Sequence, residues 1–151
     1  MSFRGSGPLI FMKKTYTGSC HCGAVAYRVD LDLAAGTSRC NCTFCSKSRI
    51  WIAIAKADAF ELVRGADALT DYQHTPRGKP APFLHLTFCK TCGVRPFAKG
   101  GHLPALGSEF YAISVATLDG LTDEERASIP IQYVDGRNDD WQHAPSEHRH
   151  L

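Results

Sequence analysis

The stretch Cys40-Asn41-Cys42-Thr43-Phe44-Cys45 decides how this chain is read, together with Cys20-His21-Cys22-Gly23 before it and Cys89-Lys90-Thr91-Cys92-Gly93 after it. These blocks hold all seven cysteines of the 151 residues. One or two residues between cysteines let the backbone fold back so that both sulfurs face one ion. The glycine after the second cysteine suits the left-handed backbone of such a knuckle, and it lets N–H groups approach the sulfurs. An odd number of cysteines would leave a pure disulfide framework with an unpaired thiol. The only apolar stretch near the start, Pro8-Leu9-Ile10-Phe11, is too short for a secretory signal, so the expected compartment is the reducing cytoplasm. Zinc is the expected partner of the cysteines.

Tetrahedral zinc takes four ligands. If no block is divided, Cys20, Cys22, Cys89 and Cys92 complete one site. Cys40, Cys42 and Cys45 then form a second site with one position open. Joining the triplet to either pair would give five ligands. Another partition divides the triplet, with Cys42 and Cys45 joining Cys89 and Cys92 in a ribbon-like site and Cys20, Cys22 and Cys40 left behind. Spacing permits both. A closed four-sulfur shell is a staple, whereas an open fourth position is what catalytic zinc keeps unless a histidine, carboxylate or water closes it.

Outward from the cysteines the chain reads as short strands. Val25, Tyr27 and Val29 alternate with Ala26 and Arg28, the period of a half-buried strand. Ile50 to Ile54, Phe83 to Phe88 and Phe110 to Val115 are apolar runs of strand length. Phe60 to Val63, the neighbourhood of Tyr72, and Ile131 to Val134 are weaker candidates. Thr122 followed by Glu125 resembles a capping box, and Pro130 limits the helix after it to about two turns. Glycine and proline punctuate Pro76 to Pro82 and Lys99 to Gly107. The fold expected is mainly β: a small single domain with short antiparallel sheets, long loops and two zinc sites. Residues 1–14 read as a flexible leader, with Met12 as an alternative start, 15–145 as the zinc-binding domain and 146–151 as a polar tail.

Composition narrows the partners. No apolar run is long enough to cross a bilayer. Two zinc ions and seven thiolates would add −3 to the formal +2, leaving −1. With Lys13-Lys14 as the longest basic run, nucleic acid is not an expected partner. No phosphate-binding glycine motif points to a nucleotide enzyme.

Gly18-Ser19-Cys20-His21-Cys22-Gly23, the triplet, and Phe88-Cys89-Lys90-Thr91-Cys92-Gly93 together resemble the glutathione-dependent formaldehyde-activating enzyme family, which includes the centromere protein V type. The resemblance runs from about Thr17 to Trp141 and includes Ala116-Thr117-Leu118-Asp119. It implies an Mss4-like β fold with two zinc ions per chain. Cys20, Cys22, Cys89 and Cys92 would hold a structural ion, and Cys40, Cys42 and Cys45 a second, exchangeable ion near which a thiol substrate binds. The family reaction condenses glutathione with formaldehyde to S-(hydroxymethyl)glutathione, a carbon–sulfur lyase reaction in reverse. Ser46-Lys47-Ser48-Arg49-Ile50 departs from the family pattern, in which a basic residue is followed by glycine. Gly100 to Gly107 is a subgroup feature.

Three thiolates make zinc electron-rich, better matched to holding a fourth thiol as thiolate than to generating hydroxide. Such a thiolate adds to a carbonyl carbon, with water, His21 or a lysine supplying the proton. Lys47, Arg49, Lys90 and Arg95 flank the cysteines. Arg49 is the preferred candidate to grip the carboxylate of a peptide-like thiol. Trp51 and Phe44 are candidates for pocket walls, and His74 and His102 for reaching the pocket from loops. The expected substrate is a small thiol or thiol–aldehyde adduct such as glutathione. The alternative is a non-catalytic zinc-stabilised module that binds protein.

Overall fold

A computed structural model describes residues 13–81 and 83–151. All but the last two residues of the expected leader, Met12 among them, lie outside the described residues. Ten strands form two sheets. The small one has the order β1 (Lys14–Ser19), β2 (Ala26–Leu31), β5 (Phe60–Arg64). The large one runs β10 (Ile131–Val134), β3 (Thr37–Cys40), β4 (Ile52–Lys56), β9 (Ser108–Ser114), β8 (Phe97–Leu103), β7 (Leu84–Cys89), β6 (Leu69–His74). The mainly β expectation holds.

Periodicity explains the clearest strands. In β2, Tyr27, Val29 and Leu31 are buried while Arg28 and Asp30 are exposed; in β4, Ala53 and Ala55 alternate with exposed Ile54 and Lys56. The buried face of the small sheet meets the large one through Tyr27, Phe60, Phe97 and Tyr111. The Phe60 ring lies 3.9 Å from Tyr111 and 4.7 Å from Phe97, centroid to centroid. The Tyr27 hydroxyl, buried among them, shares a 2.8 Å hydrogen bond with Thr117, so its one polar atom is satisfied.

Among the described residues two α-helices interrupt the strands. α1 (Thr43–Ser48) carries Cys45, and α2 (Asp123–Ser128) starts at the expected capping box, with both Thr122–Glu125 hydrogen bonds present. Arg126 ties α2 down by donating to the carbonyls of Val115 and Leu118. No described helix is long and apolar enough to cross a membrane.

Five features depart from the sequence reading. Lys14, assigned to the leader, begins β1. β8 runs through Gly100 and Gly101, which read as punctuation, and His74 ends β6 instead of lying in a loop. β10 pairs with β3 in parallel, the exception to an otherwise antiparallel ladder. Parallel neighbours need a long crossover, here the whole segment from α1 to α2. The last concerns the C-terminal residues, of which 146–151 read as a polar tail. His143 and His150 are exposed, but His148 packs its ring 4.5 Å from Tyr133, next to buried Pro145.

Candidate metal centres

The sulfurs gather in two sets: Cys20, Cys22, Cys89 and Cys92 in one, Cys40, Cys42 and Cys45 in the other. Within each set they all lie within 4.8 Å of one another. The ribbon-like partition that would split the triplet does not form. All seven cysteines are free thiols.

The four-sulfur set is built from two turns of one design. Cys20 N–H donates to the Val25 carbonyl at 3.1 Å and Gly23 N–H to the Cys20 carbonyl at 3.0 Å. Cys89 repeats both contacts, to and from Val94 and Gly93, at 2.9 and 2.8 Å. Gly23 and Gly93 have φ of 78° and 75°, the left-handed backbone that closes each turn. The sulfurs of Cys20 and Cys22, and of Cys22 and Cys89, are 3.6 Å apart. A tetrahedron with sulfur about 2.3 Å from its centre has edges of about 3.8 Å, so an all-sulfur donor set of this size fits zinc. Backbone N–H groups tune the set. Those of Cys22 and Val94 hold the Cys92 thiol down to about 6, and the Cys92 N–H lowers Cys89. The Ala24 N–H also pulls on Cys22, but desolvation and the neighbouring thiols outweigh it and raise Cys22 to about 11.

The triplet sits where β3 hands over to α1. Cys40 ends the strand, Cys42 caps the helix, and Cys45 lies in its first turn. The Cys42 sulfur takes the part usually played by a serine or aspartate oxygen, accepting the Cys45 N–H at 3.4 Å. The Cys42 N–H in turn donates to the Cys40 sulfur at 3.3 Å. Hydrogen bonds from the Cys40 and Cys45 thiols, then from the N–H groups of Cys45 and Phe44, hold Cys42 down to about 2. Cys45 and Cys40 move the other way: Cys45 is raised by its hydrogen bonds to Cys40 and then Cys42, and Cys40 by its hydrogen bond to Cys42. Three sulfurs within 4.8 Å of one another make a donor set suited to a soft cation. Its three-sulfur set fits zinc with one ligand still to be supplied.

Asn41, between two of these cysteines, is buried and bonded on every side. Its side chain donates to Asp135 at 2.6 Å and accepts the Arg137 N–H at 3.0 Å. Its carbonyl accepts from Ser46 and Arg137, and its N–H reaches the Val134 carbonyl. The segment after β10 therefore clamps the loop that carries the sulfurs. Gly136 presses on it so closely that a Cβ there would stand 2.4 Å from Cys40 Sγ and 3.0 Å from the Trp141 ring. Gly136→Ala is expected to push Cys40 aside and weaken metal binding at the triplet about 10–100-fold, leaving the four-sulfur set unchanged. Metal titration with a competing chelator reads the two affinities separately; equal affinities in variant and parent would remove this role.

The flanking cations divide. Arg49 lines a small cleft with Arg39, Cys40, Cys45, Ser46, Ile50 and Leu151. Arg95 is held between the rings of Phe44 and Phe88, and Lys90 donates to the Asp67 carbonyl. Lys47 is exposed. Trp51, expected at a pocket wall, packs against the core and donates to Thr37. Phe44 lies against Tyr72 instead of in the cleft. His21 is exposed in the first turn, His85 bonds Asp71 within the sheet, and His102 stacks on Phe83. No histidine or carboxylate joins either sulfur set among the described residues. The sequence reading missed Arg39 and the Asn41 clamp. The position of Asn41 between two cysteines was the one available signal.

Two comparisons bear on this geometry. The model of the family described as glutathione-dependent formaldehyde-activating enzyme matches residues 15–134. The chain is also similar to the crystal structure of a Rhodobacter sphaeroides protein, at 32% identity and a TM-score of 0.60, over 77% of this chain and 99% of that one.

Proposed function

Because this chain belongs to the glutathione-dependent formaldehyde-activating enzyme family, we propose that it is a zinc-dependent protein of the carbon–sulfur lyase type, joining a small thiol to an aldehyde or releasing it from the adduct. Glutathione and S-(hydroxymethyl)glutathione are the reference pair. The observation that carries this is the division of the sulfurs into a set of four and a set of three, the second lacking a fourth protein donor among the described residues. In this reading Cys20, Cys22, Cys89 and Cys92 hold one zinc ion and Cys40, Cys42 and Cys45 the other.

Zinc at the triplet would supply a Lewis acid that keeps an incoming sulfur as thiolate at neutral pH. The rest falls to the chain. The Asn41 clamp holds the loop that carries Cys40 and Cys42, the residues that with Cys45 would hold the ion. The N–H groups of Cys42 and Cys45 share the thiolate charge. Arg49 stands at the cleft beside Cys40 and Cys45, where it meets the anionic part of a peptide-like thiol. Water supplies the proton taken by the carbonyl oxygen, since no histidine lines the cleft.

The test is exchange spectroscopy on zinc-loaded protein with glutathione and labelled formaldehyde. Formation of the hydroxymethyl adduct is expected to run at least about tenfold above the uncatalysed exchange, about 1.4 kcal/mol off the barrier. Protein carrying two zinc ions per chain that accelerates neither glutathione nor any other small thiol would be a non-catalytic zinc-stabilised module instead.

A further inference from the structure

The cleft beside Cys40 and Cys45 has room for about 10 Å³, the space of a single water. Even a small thiol is larger, so one that approaches the triplet through this cleft needs part of the wall to give way. Most of the wall is fastened. Cys40 ends β3 and pairs with Val134 of β10, and Ser46 is bonded to the Asn41 carbonyl. Cys45 belongs to α1 and to the sulfur set itself. The Arg39 guanidinium lies 5.6 Å over the Trp51 ring, which a 2.7 Å hydrogen bond to Thr37 holds still.

Leu151 is fastened differently. It belongs to the segment 147–151, which lies outside both sheets and beyond residues 15–134, the stretch matched by the family's model. Glu147, Arg149 and His150 are exposed. Local bonds shape the segment: the Leu151 N–H donates to the His148 carbonyl at 3.0 Å, and Arg149 pairs with Glu147. Two contacts anchor it to the body. The His148 ring lies 4.5 Å from that of Tyr133 in β10, and Arg49 donates to the His150 carbonyl. Among the described residues, no other hydrogen bond joins 147–151 to residues before Pro145. One aromatic pair and one hydrogen bond favour a closed form by about 5–100-fold, a bias that ligand binding overcomes.

We infer that 147–151 is a strap that shuts the triplet, so that entry of a thiol is gated by its lifting. This rests on the proposal that a thiol binds at the triplet. In the closed form Leu151 fills the approach to Cys40 and Cys45, and the His150 carbonyl occupies Arg49. Lifting the strap opens the cleft and frees Arg49 in one movement. The strap lowers the affinity of every thiol by the same factor, because only the open fraction of the protein binds.

The test is stopped-flow binding of glutathione and of 2-mercaptoethanol to cobalt-loaded protein, read as a change in the sulfur-to-metal absorption. It compares the parent with His148→Ala, which removes the ring anchor, and Leu151→Ala, which trims the plug. Metal content and thermal midpoint are the controls for folding. In the parent the observed rate is expected to level off as thiol rises, at one opening rate shared by both thiols. His148→Ala is expected to tighten both thiols by the same factor, about two- to tenfold, the worth of one aromatic pair. Leu151→Ala is expected to tighten both as well. Binding seen in the variants and not in the parent also supports the strap. Affinities that stay at the parent values in both variants overturn the strap and leave thiol binding at the triplet standing. No binding of either thiol to the parent or to either variant overturns both.

Discussion

Cys89→Ala is expected to abolish the cooperative fold. Cys89 is fully buried, ends β7, and belongs to the larger hydrophobic cluster as well as to the four-sulfur set. The set joins the turn between β1 and β2 of the small sheet to the end of a strand in the large one, with Cys22 and Cys89 separated by 67 positions. Structural zinc in small domains supplies about 10–16 kcal/mol of folding free energy at neutral pH. A whole domain is typically stable by only about 5–15 kcal/mol. If the four-sulfur set holds such an ion, as proposed, weakening it would remove more than the chain can spare. Circular dichroism should show no cooperative thermal transition in Cys89→Ala, and a strong chelator should produce the same result in the parent. A variant that melts within a few degrees of the parent would show that the sheets hold together without the ion.

The triplet calls for the opposite outcome. On the proposed two-zinc reading, Cys42→Ala is expected to leave the fold intact, lower the metal content by one ion per chain, and bring thiol–aldehyde turnover down to the uncatalysed rate. Partners one bond removed from a metal ligand cost about 10–100-fold when lost, and a ligand costs more. The fold survives because Cys42 is only half-buried and the neighbouring Asn41 clamp does not use its side chain. Metal analysis, a thermal melt and the exchange assay together check this. Turnover unchanged after loss of one ion would place the chemistry elsewhere.

The contrast between these variants reflects what one-dimensional pattern can and cannot carry. The knuckles were legible because their requirements are local: two sulfurs, a short spacer, and a glycine whose φ of 75–78° the turn demands. β2 and the capping box of α2 were legible for the same reason, as periodicity and spacing lie within a few residues, whereas β4 (Ile52–Lys56) was read only as the apolar run Ile50 to Ile54. β8 was not legible. Its Gly100 reads as a breaker, yet it is required because the Phe110 ring of β9 lies where a Cβ would stand, 2.2 Å from the nearest ring carbon. The parallel pairing of β3 with β10 and the clamp of Asn41 by Asp135 and Arg137 depend on partners more than 90 positions away. Arg39 is fixed by Trp51, which is near in sequence, but nothing in a short polar strand such as Thr37-Ser38-Arg39-Cys40 marks it as a wall of the cleft.

The two sulfur sets also differ in when they can exist. On a nascent chain the triplet is complete once residue 45 has been made, before most strands have emerged. The four-sulfur set has to wait for Cys92, with half of its donors idle over some seventy additions. Synthesis under scarce zinc therefore risks early capture by the wrong partners, three ready thiols competing with two waiting ones. The late arrival of Asp135 and Arg137 completes the hydrogen bonds that hold Asn41, the residue between two of the triplet's sulfurs.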